Sequence, residues 1–298
     1  MSSMVTSSAP ETSMSPSRVA LRRALRNGSF WAGGIILALI VLAAIFAPLL
    51  SPHDPAAQNL DARFIPPVWS DNGTWTHPLG TDNLGRDYLS RLLYGARISL
   101  MIGMFTVLIS GTIGTVLGVA AGYWGGRVDL VVNFLITIRL TLPVVLVALV
   151  VVALIGSSLT LLVLVIGLLL WDRFAIVMRS ATQQLATREY ITSARTIGSS
   201  TPRILFREIL PNITGPLIVV ASIELAHAIL LEAALSFLGL GVQPPRVSWG
   251  LMVAEAKPQL MFRPWMIMVP GVALMLLVFA INLVGDALRD VTTPEGRA

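Results

Sequence analysis

Five stretches of the chain carry no charged residue: Phe30 to Leu50, Ile98 to Gly122, Leu140 to Trp171, Ile209 to Ile223 and Pro264 to Gly285. An apolar run of about 18 residues or more is long enough to cross a bilayer as a helix. Lipid tolerates only helices or closed barrels, and the alternating pattern of a barrel strand is absent from these runs. The pattern therefore predicts an all-α, polytopic membrane protein.

The run from Leu140 to Trp171 decides the number of spans. It is too long for one upright helix, and Gly156-Ser157-Ser158 sits inside it as a turn signal. Read as a hairpin, its first arm reaches back through Leu130, with Arg139 in the early turns, and its second runs to about Met178. Six spans follow. With a cytoplasmic N-terminus, thirteen basic residues then lie inside (Arg18, Arg22, Arg23, Arg26, Arg127, Arg173, Arg179, Arg188, Arg195, Arg203, Arg207, Arg289 and Arg297), against seven outside. A five-span topology places the arginines from 173 to 207 outside, against the preference of basic loops for the cytoplasm.

This topology divides the chain into a cytoplasmic tail (1–28), a first span (29–50), an extracytoplasmic segment (51–94), a transmembrane domain (95–290) with a cytoplasmic loop at 179–211, and a second cytoplasmic tail (291–298). The Ser-rich first 17 residues are expected to be disordered. Arginines ahead of an apolar run suggest a signal peptide, but the run is too long and no A-x-A site follows it, so it reads as a retained span. The polar segment from Ser51 to Arg91 reads as a small exposed cap. Within it, "GTDNLGRD" (Gly80 to Asp87) lacks the terminal Glu and ligand spacing of a calcium loop. It reads as a turn leading into an interfacial amphipathic helix that carries Arg86, Arg91 and Arg97.

Composition narrows the function. The chain is 55% hydrophobic and 12% charged, and its net charge of +5 comes from arginines scattered between apolar runs rather than along one stripe, which argues against nucleic acid. Lys257 is the single lysine and no Gly-Lys-Ser/Thr occurs, so the chain has no phosphate-binding loop for ATP. It has no cysteine, which removes thiolate ligands and nucleophiles. His53, His77 and His227 are its only histidines and none belongs to an HExxH pattern, so no metal site and no cofactor is expected. Neither a catalytic Ser/His pair nor a hydrolytic metal motif is present, so no catalytic residue is expected.

One polar island interrupts the apolar pattern: "REYITSARTIGSSTPRILFREILPN", Arg188 to Asn212. Tyr190, Ile191, Ala194, Ile197 and Gly198 recur at helical spacing, opposite Glu189, Thr192, Ser193 and Thr196. A short amphipathic helix follows, capped by Thr187 and closed by Gly198. A second helix starts at Thr201 as cap, with Pro202 in its first turn, and stops near Pro211. On pattern alone the island is a hairpin between two spans. The small residues Ser193, Ala194 and Gly198 also suit a helix laid in a partner's groove.

"EYITSARTIG" followed by "ILPN" resembles the EAA coupling loop of ATP-binding-cassette (ABC) importer permeases. Ala194 matches the second alanine of that motif, Ser193 stands where the first is usual, and Glu208 stands where a histidine is frequent. "HPLGTDNLGRDYLSRLLYGARISL", "EAALSFLGLGVQPPRVSWG" and "GDALRD" are similar to the C-type permease of dipeptide, oligopeptide and nickel importers; Thr293-Pro294 departs from the usual Asp-Pro. The resemblance implies a six-span, type I importer permease fold without ATPase activity of its own. It further implies a second homologous permease, two ATP-binding subunits that hold ATP and magnesium, an extracytoplasmic substrate-binding protein, and peptide cargo, with nickel or another small solute as the alternative. The coupling residues it implies are Glu189, Tyr190, Ser193, Ala194, Arg195 and Gly198.

Glu224, His227 and Glu232 fall in the fifth span, where an ionisable group costs a few kcal/mol unless paired or hydrated. Glu224 and His227 are one helical turn apart. They suit a hydrated path, a peptide-amine site or a proton relay, or else a histidine satisfied by a neighbouring helix; Glu232 is a further candidate for the translocation path, or else sits near the outer interface. A proton relay would fit a secondary transporter, but that class leaves the polar island unexplained. Gly114, Gly118 and Gly122 repeat at the spacing of closely packed membrane helices, within the chain or against a partner.

Overall fold

The computed structural model describes residues 28–292, and among these no strand occurs. The expectations for the N-terminal tail, for residues 293–298 and for Thr293-Pro294 fall outside the described residues.

Ten helices carry the architecture: α1 (Gly28–Ile45), α2 (Tyr88–Trp124), α3 (Gly126–Thr141), α4 (Val144–Ile155), α5 (Leu159–Leu169), α6 (Trp171–Ala186), α7 (Glu189–Thr196), α8 (Thr214–Phe237), α9 (Trp249–Ala256) and α10 (Trp265–Thr292). Five spans are long and apolar enough to cross a bilayer, α5 and α6 together making one; α3 and α4, bent by 80° at their junction, form a sixth, broken one. Large apolar side chains on their outer surfaces, such as Leu39, Met104 and Leu154, face outward without protein cover. That is the inverse of a water-soluble bundle and suits lipid.

The hairpin follows its turn signal. Gly156 takes φ +106° and ends α4, and the Ser158 hydroxyl accepts from the Leu161 amide to start the next helix. Arg139 sits in the last turn of α3, not in the early turns of its arm. The arm begins at Gly126 and breaks where Pro143 forces Leu142 into extended backbone. Arg139 is buried there, donates to the Leu169 carbonyl and pairs with Asp172 at 3.3 Å.

The glycine stripe of α2 packs within the chain. A Cβ at Gly114, Gly118 or Gly122 would meet backbone oxygens of Trp171, Ala175 or Arg179 at 2.3, 2.5 and 2.7 Å, so only glycine lets α2 and α6 approach this closely. α10 lies between α1 and α8. Short α9 docks on α2, with the Trp249 indole donating to the Leu92 carbonyl at 2.8 Å.

The segment between α1 and α2 is not merely an exposed cap. Gly80 and Gly85, at φ +77° and +71°, make the expected turn. No separate interfacial helix follows, because α2 itself starts at Tyr88, with the Asp87 side chain accepting from the Ser90 amide as its cap. Arg86 precedes the helix, and Arg86 and Arg91 are buried rather than lying on an interface. Both donate to Asp82 of the turn and to Glu255 of α9, while Arg97 alone stays exposed, against the Tyr94 ring. Burial becomes tolerable because each guanidinium finds carboxylates at both ends.

Candidate functional site

α6 continues to Ala186, so the polar island begins only at its end. Thr187 caps the C-terminus of that helix: its hydroxyl donates back to the Gln184 carbonyl, which prevents the N-capping role read from the sequence. Arg188, in extended backbone, takes the cap position of α7, without a side-chain cap bond. At the other end Gly198 has φ +84°. The Ser199 amide donates to the Ala194 carbonyl and the Gly198 amide to that of Arg195, both at 3.0 Å. This paired, left-handed closure satisfies the last carbonyls of α7 and favours glycine.

α7 is held by one side only. Ile191 is fully buried among Phe174, Met178, Ile204 and Ile209, with Ala194 partly covered beside it. Glu189, Ser193, Arg195 and Gly198 are exposed. Tyr190 and Ile197 do not join the packed stripe that their spacing suggests: Ile197 is 83% exposed and Tyr190 43%. The helix is short enough that only its centre reaches the core. Arg195 lies over the Tyr123 ring of α2, 4.6 Å from its centroid, and braces α7 against the end of that span.

The second helix of the island starts one residue early, with Ser200 as cap and Thr201 in its first turn. It does not stop at Pro211. Residues Ile204–Ile209 form a π-turn and Leu210–Ile213 a 3₁₀ turn, and the chain runs on into α8. Proline removes one amide and clashes with the carbonyl four residues back, and a change of hydrogen-bond register relieves both. Burial of Ile204, Ile209 and Ile213 keeps the helix continuous across the defect. Phe206, on the opposite side, is 72% exposed, near the arginines of the same turn.

The second cluster lies inside the bundle. Glu224 is fully buried, 3.3 Å from Arg173 of α6 and 3.4 Å from Nδ1 of His227. The shared face read from spacing thus brings Glu224 and His227 together. Arg173, which sequence spacing had no means of assigning, completes the group from 51 positions away. Arg173 and Glu224 line a cleft of about 450 Å³ with Val177, Pro216, Val220 and Arg289 of α10. Arg173 is 55% exposed on its side chain, so the cleft opens at the arginine and reaches the buried carboxylate.

Glu232 does not join this group. It accepts from the hydroxyls of Ser236 at 2.7 Å and Ser248 at 2.8 Å. Gly250 lies against it so closely that a Cβ would stand 3.1 Å from both carboxylate oxygens. Glu232 is buried and fastens the turn between α8 and α9, away from the interface position expected of it.

Among the described residues, an all-helical bundle with a broken third span, a half-packed helix beside its polar loop, and a charged cleft suits a membrane transport permease. Residues 114–295 match the family described as binding-protein-dependent transport system inner membrane component, and residues 15–67 match the N-terminal transmembrane domain of oligopeptide transport permease C. The chain belongs to this family of multi-pass inner-membrane permeases of ABC importers. It is 42% identical over 264 residues to the di/tripeptide transport system permease protein DppC of Pseudomonas aeruginosa, covering 88% of this chain and 87% of that one. With the dipeptide transport system permease protein DppC of Escherichia coli K12 it shares 40% identity over 270 residues, 91% of this chain and 90% of the relative. Inward-facing MetNI methionine ABC transporter is similar in fold, with a TM-score of 0.56 at 18% identity, covering 68% of this chain and 96% of that chain.

Proposed function

We propose that this chain forms, with a second homologous permease, the translocation path of a peptide importer. A substrate-binding protein delivers di- or oligopeptides from the extracytoplasmic side. Two partner subunits bind ATP and magnesium, and one of them docks on α7. The half-packed state of α7 carries the reading: Tyr190 and Ile197 at α7, with Phe206 of the turn that follows, leave an apolar shoulder uncovered, bordered by exposed arginines, while the other side of α7 is locked to α6. Exposed apolar patches of this kind mark protein contacts. Glu189, Tyr190, Ser193, Ala194, Arg195 and Gly198 form this docking helix. The peptide assignment is supported by the names of the relatives, and the cleft presents the Glu224 carboxylate with Arg173 and Arg289, groups suited to the charged ends of a peptide.

In this reading both termini and α7 are cytoplasmic, and the segment between α1 and α2 is extracytoplasmic. Because the chain lacks cysteine, single cysteines at Ser199 and Asn72 test the orientation: an impermeant reagent should label only the second in intact cells. Purification of the tagged chain should recover a second permease and two ATP-binding subunits. Recovery of the chain without them refutes the assembly.

A further inference from the structure

We propose that His53, His77 and Asp87 form a divalent-cation site of the zinc type that clasps the segment between α1 and α2. No HExxH or similar spacing announces it; the fold brings the three together, with one ligand atom of each lying within 4.8 Å of the others. His77 Nδ1 is 2.9 Å from Asp87 Oδ1 and His53 Nδ1 is 3.7 Å from the same oxygen. Zinc–nitrogen and zinc–oxygen bonds of about 2.0–2.1 Å place neighbouring tetrahedral ligands about 3.3 Å apart, and the two separations bracket that value.

Three further observations point to a ligand. His53 Nδ1 is buried and has no hydrogen-bond partner, although the ring as a whole is partly exposed. The two imidazoles stack with centroids 4.6 Å apart and planes at 31°, which presents both Nδ1 atoms to one carboxylate. Asp87 is already oriented: its Oδ2 accepts from the Ser90 amide at 2.8 Å and the Ser90 hydroxyl at 2.6 Å, leaving Oδ1 for the histidines. Outer bonds of this kind fix a ligating carboxylate. The neighbouring cations Arg86 and Arg91 are engaged by Asp82 and Glu255.

Two imidazoles and one carboxylate select borderline ions such as Zn²⁺, Co²⁺ and Ni²⁺ over Mg²⁺ or Ca²⁺, with water completing the four-coordinate shell. Such an ion ties the exit of α1, the middle of the connecting segment and the cap of α2 at one point. The site stands apart from the cleft at Glu224 and does not depend on the cargo.

The test is a Co²⁺ titration of the purified full-length chain without a polyhistidine tag, read by the visible absorption of four-coordinate cobalt. One equivalent should bind, be displaced by Zn²⁺, and be unaffected by His227→Ala, the control at the only other histidine. His53→Ala with His77→Ala should abolish the band. Asp87→Asn, which retains a good helix cap, should raise the cobalt dissociation constant at least tenfold. A native chain that gives no such band overturns the proposal, as does a band that survives the double substitution. If the double variant does not insert, undiminished cobalt affinity in Asp87→Asn overturns it equally.

Discussion

Gly198→Asp separates what this chain requires of its coupling helix from what a partner requires. An ideal Cβ at position 198 finds no atom of this chain within 4 Å, so the substitution crowds nothing internal. The intramolecular cost is the left-handed backbone at φ +84°, about 1–2 kcal/mol for a residue with a Cβ and less for Asp or Asn, which tolerate that region best. Thermal unfolding of the variant should therefore fall only slightly, by an amount equivalent to about 1 kcal/mol. Seated in an ATPase groove, the same side chain adds bulk costing about 1–3 kcal/mol, and the burial of an unpaired carboxylate costs more. Association should weaken about five- to 150-fold on the steric part alone. The assay is pull-down of the ATP-binding subunits together with hydrolysis stimulated by binding protein and cargo. Gly198→Asn, with similar backbone tolerance and no charge, should lie between native and Asp. Normal recovery and stimulation with Asp would show that α7 is a linker and that its exposed shoulder is not covered by these subunits.

Gly118→Val should destabilise the bundle by about 1–3 kcal/mol, because its Cβ stands 2.5 Å from the Ala175 oxygen, whereas Gly271→Ala, with open space around it, should leave the melting temperature within a degree or two. Glu224→Gln and His227→Ala should each lower peptide uptake while the assembled complex is recovered at native yield; undiminished uptake in both returns the pair to a purely structural role. Glu232→Leu should strand the Ser236 and Ser248 hydroxyls and cost about 1–3 kcal/mol each in thermal stability, while Glu232→Gln, which keeps an acceptor, should be far milder.

Much of the fold was legible because it rests on local signals. The apolar runs became spans, Gly156 with Ser158 became the hairpin turn, and Gly198 closed α7, each through chemistry confined to a few residues. Pro211 misled for an instructive reason. Its ring forbids one hydrogen bond, but three buried isoleucines from the flanking turns hold the helix together, so tertiary packing converts a stop into a change of register. The 80° bend at Pro143 went unread although the proline was in plain view, because an apolar run without polar punctuation gave no reason to divide the arm. Arg173 beside Glu224, Arg139 beside Asp172 and the grouping of His53, His77 and Asp87 join residues on different elements, and no spacing rule reaches across them.

The ion pairs also show how the bundle is organised around one helix. α6 supplies Asp172 to Arg139 of α3, Arg179 to Asp129 of α3, and Arg173 to Glu224 of α8, while its opposite surface receives the glycines of α2. The pairs differ in exposure, and this decides what each contributes. Arg139 and Asp172 are both deeply buried, so removing either leaves an uncompensated charge at a cost of about 3–5 kcal/mol, even though the intact pair adds little over an apolar pair of equal volume. Arg179 and Asp129 are about a quarter exposed, so solvent screens their attraction and their bidentate geometry mainly fixes orientation. Arg173 is more than half exposed while Glu224 is fully buried. In that third pair the arginine can turn to water while the carboxylate remains in the cleft. This contact faces the proposed cargo path, and opening it strands one buried charge, Glu224, whereas opening the Arg139 pair with Asp172 strands two. α6 is thereby held to α2 by close glycine packing and to α3 by one doubly buried pair, and is joined to α8 by a pair with one exposed partner, while its far end carries α7.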